Sequence, residues 1–143
     1  MQIPLARVPE QIQCLASEGK SRSVSWSLAQ IADHLAMTIE WQLDRLPVGK
    51  LPDRLPPMWL RRIFRVIFLG LGRLPRGVPA VSSIVPQSDV DLEASLDRLR
   101  SAIASMFVSD GPYRTHPFFG NMTKSGWVRF HEVHAAHHLK RIV

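Results

Sequence analysis

The sequence has one cysteine, Cys14, in 143 residues. A single thiol excludes an internal disulfide framework and any zinc finger or ribbon built on cysteine. Long apolar runs are missing as well, since nothing approaches the roughly 18 residues of a spanning helix. Met1 to Glu10 carries Pro4 and Pro9 where a secretory signal would have its apolar core, so no signal peptide is expected there and the expected compartment is the cytoplasm. The motifs GxGxxG, GxxxxGK[ST] and GxSxG are absent. Gly70-Leu71-Gly72 has neither the preceding strand nor the acidic partner of a dinucleotide fold. Runs of strand-type alternation are absent too.

What is present is a chain of one domain's size, read as a single unit over 1–143. Hydrophobic residues make up 45%, enough for a packed core. Lys and Arg number 18 against 12 Asp and Glu, for a formal net charge of +6. Arg54, Arg61, Arg62, Arg65, Arg73 and Arg76 crowd the middle, and the other basic residues are scattered. Zinc-finger spacing, an aromatic-rich RNA-binding signature and a long basic arm are all missing. A basic solvated surface is therefore the simplest reading, and no specific nucleic-acid partner is expected.

Apolar residues at spacings of three and four predict an all-α chain. Pro9 to Ser17 can make two turns. After Ser25, a long helix is expected from Trp26 to about Leu46, with Leu28, Ile31, Leu35, Ile39, Leu43 and Leu46 inward and Pro47 and Gly49 ending it. Pro47, Pro52, Pro56, Pro57, Pro75, Pro79 and Pro86 break up the next stretch. It has room for one short helix, from about Pro57 to Leu69, with Leu60, Ile63, Phe64 and Ile67 packed on the bundle or over a site mouth. A further helix is expected from Asp89 to Phe107, capped by Ser88, with Leu92, Leu96, Leu99, Ile103 and Met106 inside. The last should run from Thr123 to about Ile142.

Four of the six histidines lie within eight residues, His131 to His138. At about 100° per residue, Trp127, His131, His134 and His138 fall within about 60° of one another. Phe130 and His137 flank that stripe, while Arg129, Glu132 and Lys140 point away and should face water. His134 and His138 stand one turn apart and can share a divalent ion at about 2.1 Å each. A third ligand must come from elsewhere, and His34 is the only histidine on the other long helix. Three nitrogens with positions left open to water or substrate would make a catalytic or substrate-binding site, not a closed structural one. His131 stays open between ligand, support for the site and satisfied core residue, and Trp127 shares its stripe. His137 reads as a packing or surface residue, His116 as a loop residue before Pro117, and Asp33 as exposed. Ala135 stands where HExxH would need its second histidine, so a metalloprotease is not expected.

Three segments carry a family resemblance: Trp26 to Ala36 (WSLAQIADHLA), His116 to Gly120 (HPFFG) and His134 to Leu139 (HAAHHL). With these the chain resembles the DinB/YfiT-like superfamily, and within it a bacterial branch of unknown function. The resemblance spans about Ser25 to Arg141. It implies a four-helix bundle holding a divalent metal, zinc or nickel, on three histidines, which fall here on His34, His134 and His138. It further implies a metal-dependent hydrolase or a transferase that uses low-molecular-weight thiols. A small-molecule substrate and a homodimer are the partners that go with this reading. The rival is a non-enzymatic interaction or stress-response bundle with a vestigial histidine site. More distant is a basic membrane-surface protein using Pro57 to Leu71.

Overall fold

The computed structural model describes every residue except Met1, Gly77 and Pro79. The expectations that touch Met1 and Pro79 therefore lie outside the described residues. The fold is all-α, with α1 (Val8–Ser17), α2 (Leu28–Gln42), α3 (Met58–Phe64), α4 (Leu92–Val108) and α5 (Lys124–Leu139). Single turns of 3-10 helix occur at Leu5–Arg7 and Ser82–Ile84. Among the described residues, β-pairing is limited to isolated bridges, Arg22 with Ser27 and His116 with Gly120.

The two long helices start later than the apolar pattern suggests, because capping chemistry sets their first turns. Ser27 caps α2. Its hydroxyl accepts the Gln30 N–H at 3.1 Å, and the Gln30 side chain accepts the Ser27 N–H at 3.0 Å. Asp91, not Ser88, caps α4, accepting the Ala94 N–H at 2.9 Å. Helix α2 also stops short of Leu46. Just past its end, Asp44 takes a positive φ of 61°, a conformation that aspartate tolerates better than most residues and that does not continue a right-handed helix. Helix α5 ends at Leu139, short of Ile142.

One core joins α1, α2, α4 and the end of α5. Ile12, Ile31, Ile39, Leu96, Leu99 and Met106 are sealed within it, and Leu139 reaches it from α5. Each such side chain contributes about 1.5–3 kcal/mol by leaving water. Along one side of this core Arg98 of α4 forks onto α2, donating to Glu40 at 2.9 and 2.7 Å and to Asp33 at 3.0 Å. Asp33 is thus buried, contrary to its expected exposure, because its partner comes from a helix 65 positions away. A second core holds Trp41, Leu69, Val81, Phe119, Trp127, Phe130 and Val133.

Helix α5 is at least partly covered on every face over most of its length. Arg129 donates from Nε to the Leu69 carbonyl at 3.1 Å, and Glu132 accepts the Leu5 N–H at 3.3 Å. Both were expected to be solvated. Instead, the middle segment and the N-terminal turn partly cover that side, and of the three charged residues expected in water Lys140 alone is exposed. The expectation for α3 holds in half. Leu60 and Phe64 turn toward the protein, whereas Ile63 and Ile67 remain 44% and 46% exposed. After Phe64 the helix widens into i→i+5 turns over Arg65–Leu69.

Candidate metal centre

Helix α2 carries His34, Thr38 and Gln42 at i, i+4 and i+8, a buried polar stripe beside its apolar one. Helix α5 answers with His131, His134 and His138. His34 meets His134, and Gln42 meets His131 through a contact of 2.6 Å from Nε2 to Oε1, so the two helices run antiparallel. These ladders bring the three sequence-selected histidines together. His34 Nε2 and His138 Nε2 each lie 3.1 Å from His134 Nε2. One ligand atom from each of the three falls within 4.8 Å of the others.

Protons decide what such a cluster can hold. A neutral imidazole has one N–H and one bare nitrogen. His34 donates from Nδ1 to the Ile84 carbonyl at 2.7 Å, which leaves its Nε2 bare. A hydrogen on His134 Nε2 can serve one of its two neighbours and leaves the other contact unmade. His134 Nδ1 has no protein partner at all. Three ring nitrogens facing one another with too few hydrogens between them fit a shared cation better than a hydrogen-bonded set. The fixed Nδ1–H of His34 is the usual way a protein orients a ligating imidazole.

Burial also keeps these rings neutral. It pushes His34 down to about 4 and His138 to about 3, and holds His134 well below the ordinary histidine value. Trp26 packs on His34 and His138, with ring centres at 4.7 and 5.6 Å, and Phe130 stacks on His134 at 5.3 Å. The cluster opens on a cavity of about 510 Å³ with largely aromatic and aliphatic walls. Ser23, Ser25, Thr38, His116, His137 and Arg141 also reach the cavity, and among the described residues no carboxylate does.

A family model described as "Protein of unknown function (DUF1569)" matches residues 4–143. The chain belongs to the DUF1569 family. No curated protein and no solved structure matches it.

In this DUF1569 chain the remaining histidines separate by their contacts. His131 lies outside the triad; its Nε2 is engaged by Gln42, and burial pushes it to about 3. Trp127 stacks on His131 with ring centres 5.6 Å apart, and its buried indole N–H has no protein partner. His137 is half-buried at the cavity edge. Burial, and then the charges of Arg141, Lys140 and Arg76, push it to about 4. His116 is more than a loop residue. Its Nδ1 accepts the N–H groups of Phe118 and Phe119 at 3.0 and 3.1 Å, and its ring packs on Phe119 and Phe130 at 4.7 Å each. Burial pushes it to about 3, with smaller effects from His131 and Arg61.

Sequence reasoning missed Thr38, Gln42, Trp26 and the Ile84 carbonyl. The first two had a signal, since they repeat from His34 at four-residue steps. A main-chain carbonyl 50 positions away had none.

Proposed function

We propose that the protein is a metal-dependent enzyme of the DinB/YfiT-like four-helix-bundle kind, acting on a small molecule as a hydrolase or as a low-molecular-weight-thiol transferase. His34, His134 and His138 would hold one divalent ion, zinc or nickel. The observation that carries this reading is the convergence of three neutral ring nitrogens beside a substrate-sized cavity, with His34 locked in a ligating tautomer by Ile84. Three histidine ligands leave coordination positions open, as catalytic sites require. Bound there, such an ion supplies Lewis-acid activation of a water or a thiol at neutral pH.

The chain's own residues do the rest. Trp26, Phe130 and Ile84 exclude water from the nitrogens and provide an apolar wall for the body of a substrate. With no carboxylate among the described lining residues, imidazole is the proton carrier available to the cavity. His116 is committed through Nδ1 to two backbone N–H groups, so His137 at the mouth is the ring placed to take or give a proton. Arg141 gives the mouth a fixed positive charge.

Elemental analysis of protein purified without a histidine tag, followed by zinc and nickel titration, tests the reading. One ion per chain is expected. No binding of either metal by the folded protein would leave the vestigial-site alternative in its place.

A further inference from the structure

The segment from Arg54 to Arg76 contains six arginines and no acidic residue. Outside it, basic and acidic residues are equal in number, so this one span carries the entire formal net charge of +6. The same span carries a regular exposed apolar pattern. Met58 and Trp59, Ile63, Val66 and Ile67, and Leu71 are exposed in a repeat of four, while Leu60, Phe64, Phe68 and Leu69 face the protein. Trp59 and Val66 are each 67% exposed and Leu71 is 69%.

A four-residue repeat drifts by about 40° per step on an ordinary α-helix, because each residue turns about 100°. The widened turns at Arg65–Leu69 turn less per residue and bring the outer row back into line. The result is a helix apolar on both faces, with only one face covered by protein. Arg61 and Arg65 are tied back to the chain, donating to the Pro56 carbonyl at 2.8 Å and the Phe119 carbonyl at 3.4 Å. Arg62 remains on the outer face, and Arg54, Arg73 and Arg76 are exposed at the ends.

We propose that this outer face seats the protein on an anionic phospholipid bilayer, lying in the interface. Exposed tryptophan and aliphatic residues on one face, with arginines beside them, are the composition that such surfaces bind. No helix among the described residues is long and apolar enough to cross a membrane, so the contact is peripheral. A second copy is a poorer occupant, because a two-fold contact would set Arg62 and its neighbours against their own copies with no acid in the span to offset them.

Co-sedimentation of the full chain with vesicles of phosphatidylcholine alone, and of phosphatidylcholine with phosphatidylglycerol, tests this. Binding is expected to require phosphatidylglycerol, to weaken with added salt and to be lost in a Trp59→Ser, Ile67→Ser double variant of unchanged helicity. Arg62→Gln and Arg73→Gln should each weaken partitioning about fivefold. Equal binding to both vesicle types, or anionic binding that survives the double variant, would overturn the proposal. So would a concentration-dependent dimer that the double variant dissolves while neither vesicle type binds, which would assign the face to a second copy.

Discussion

His34 Nε2 lies 3.1 Å from His134 Nε2, although a hundred positions separate them in the chain. Neither ring can satisfy the other and His138 as well with the hydrogens available. This contact makes the triad a set whose members should fail together.

His134→Ala or His138→Ala should abolish stoichiometric zinc or nickel binding, and His34→Ala should weaken it strongly, since each removes one of three protein ligands. His137→Ala should leave stoichiometry unchanged. His131→Ala should also keep one site per chain but lower the unfolding midpoint, because Gln42 would lose its buried partner. Metal titration paired with thermal unfolding separates the two effects. Full-affinity binding by the His134 and His138 variants would move the site elsewhere.

Acid should destabilise the fold from just below neutrality. His34 is held down to about 4, and His116 and His131 to about 3, all by burial. Unfolded, these rings titrate near 6.5. Between those values the unfolded chain binds protons that the native chain refuses. The stability is therefore complete above about pH 6.5 and is lost progressively as pH falls toward the native values, by up to ~1.4 kcal/mol per unit for each ring. Urea midpoints followed by circular dichroism should drop across this window. A flat profile between about pH 7 and 5 would contradict the buried, neutral assignment.

Gly49 should matter to the proposed metal site without touching it. Its φ is +75°, and a Cβ there would meet Ser82 Oγ and the Ser83 nitrogen at 2.8 Å. The same loop grips the 3-10 turn, since Lys50 N–H donates to Ser82 Oγ at 2.7 Å and Ser83 Oγ donates to the Val48 carbonyl at 3.2 Å. That turn presents the Ile84 carbonyl to His34. Gly49→Ala should cost about 1–3 kcal/mol of stability and weaken metal affinity by roughly tenfold or more. Metal affinity equal to the parent would show that the turn does not orient His34.

Arg98→Met should destabilise by roughly 1–3 kcal/mol, between the values for surface and buried pairs, because Asp33 keeps its burial and loses its guanidinium. Metal stoichiometry should be unchanged. The loss should shrink when Asp33→Asn is combined with it, as a double-mutant cycle by urea titration would show.

The all-α class and the His134 and His138 pair were legible because helical spacing is a local property that the sequence carries directly, whereas His34 was singled out as the one histidine on the other long helix and by the family resemblance. The stripes of α2 and α4 report which faces meet. Helix ends were less legible, since Ser25 and Ser27, or Ser88 and Asp91, offer similar capping groups and the choice between them rests on the hydrogen bonds each can make. The burial of Asp33 and the partial cover of Arg129 and Glu132 were not legible at all. Each is a charged residue whose cover comes from a distant segment, and charge alone reads as a solvated face. His116 was obscured in the same way, because its two N–H donors belong to a loop whose shape the spacing does not encode.

The distance in sequence between position 34 and positions 134 and 138 has a consequence during synthesis. A nascent chain that has emerged with α2 alone displays a single imidazole, which is no better than free histidine in competing for a transition metal. On the proposed reading, a chelate would come into being only after α5 has left the ribosome and docked against α2, so cation capture would wait for that docking. Fragments released early would leave the cell's pool of these ions untouched.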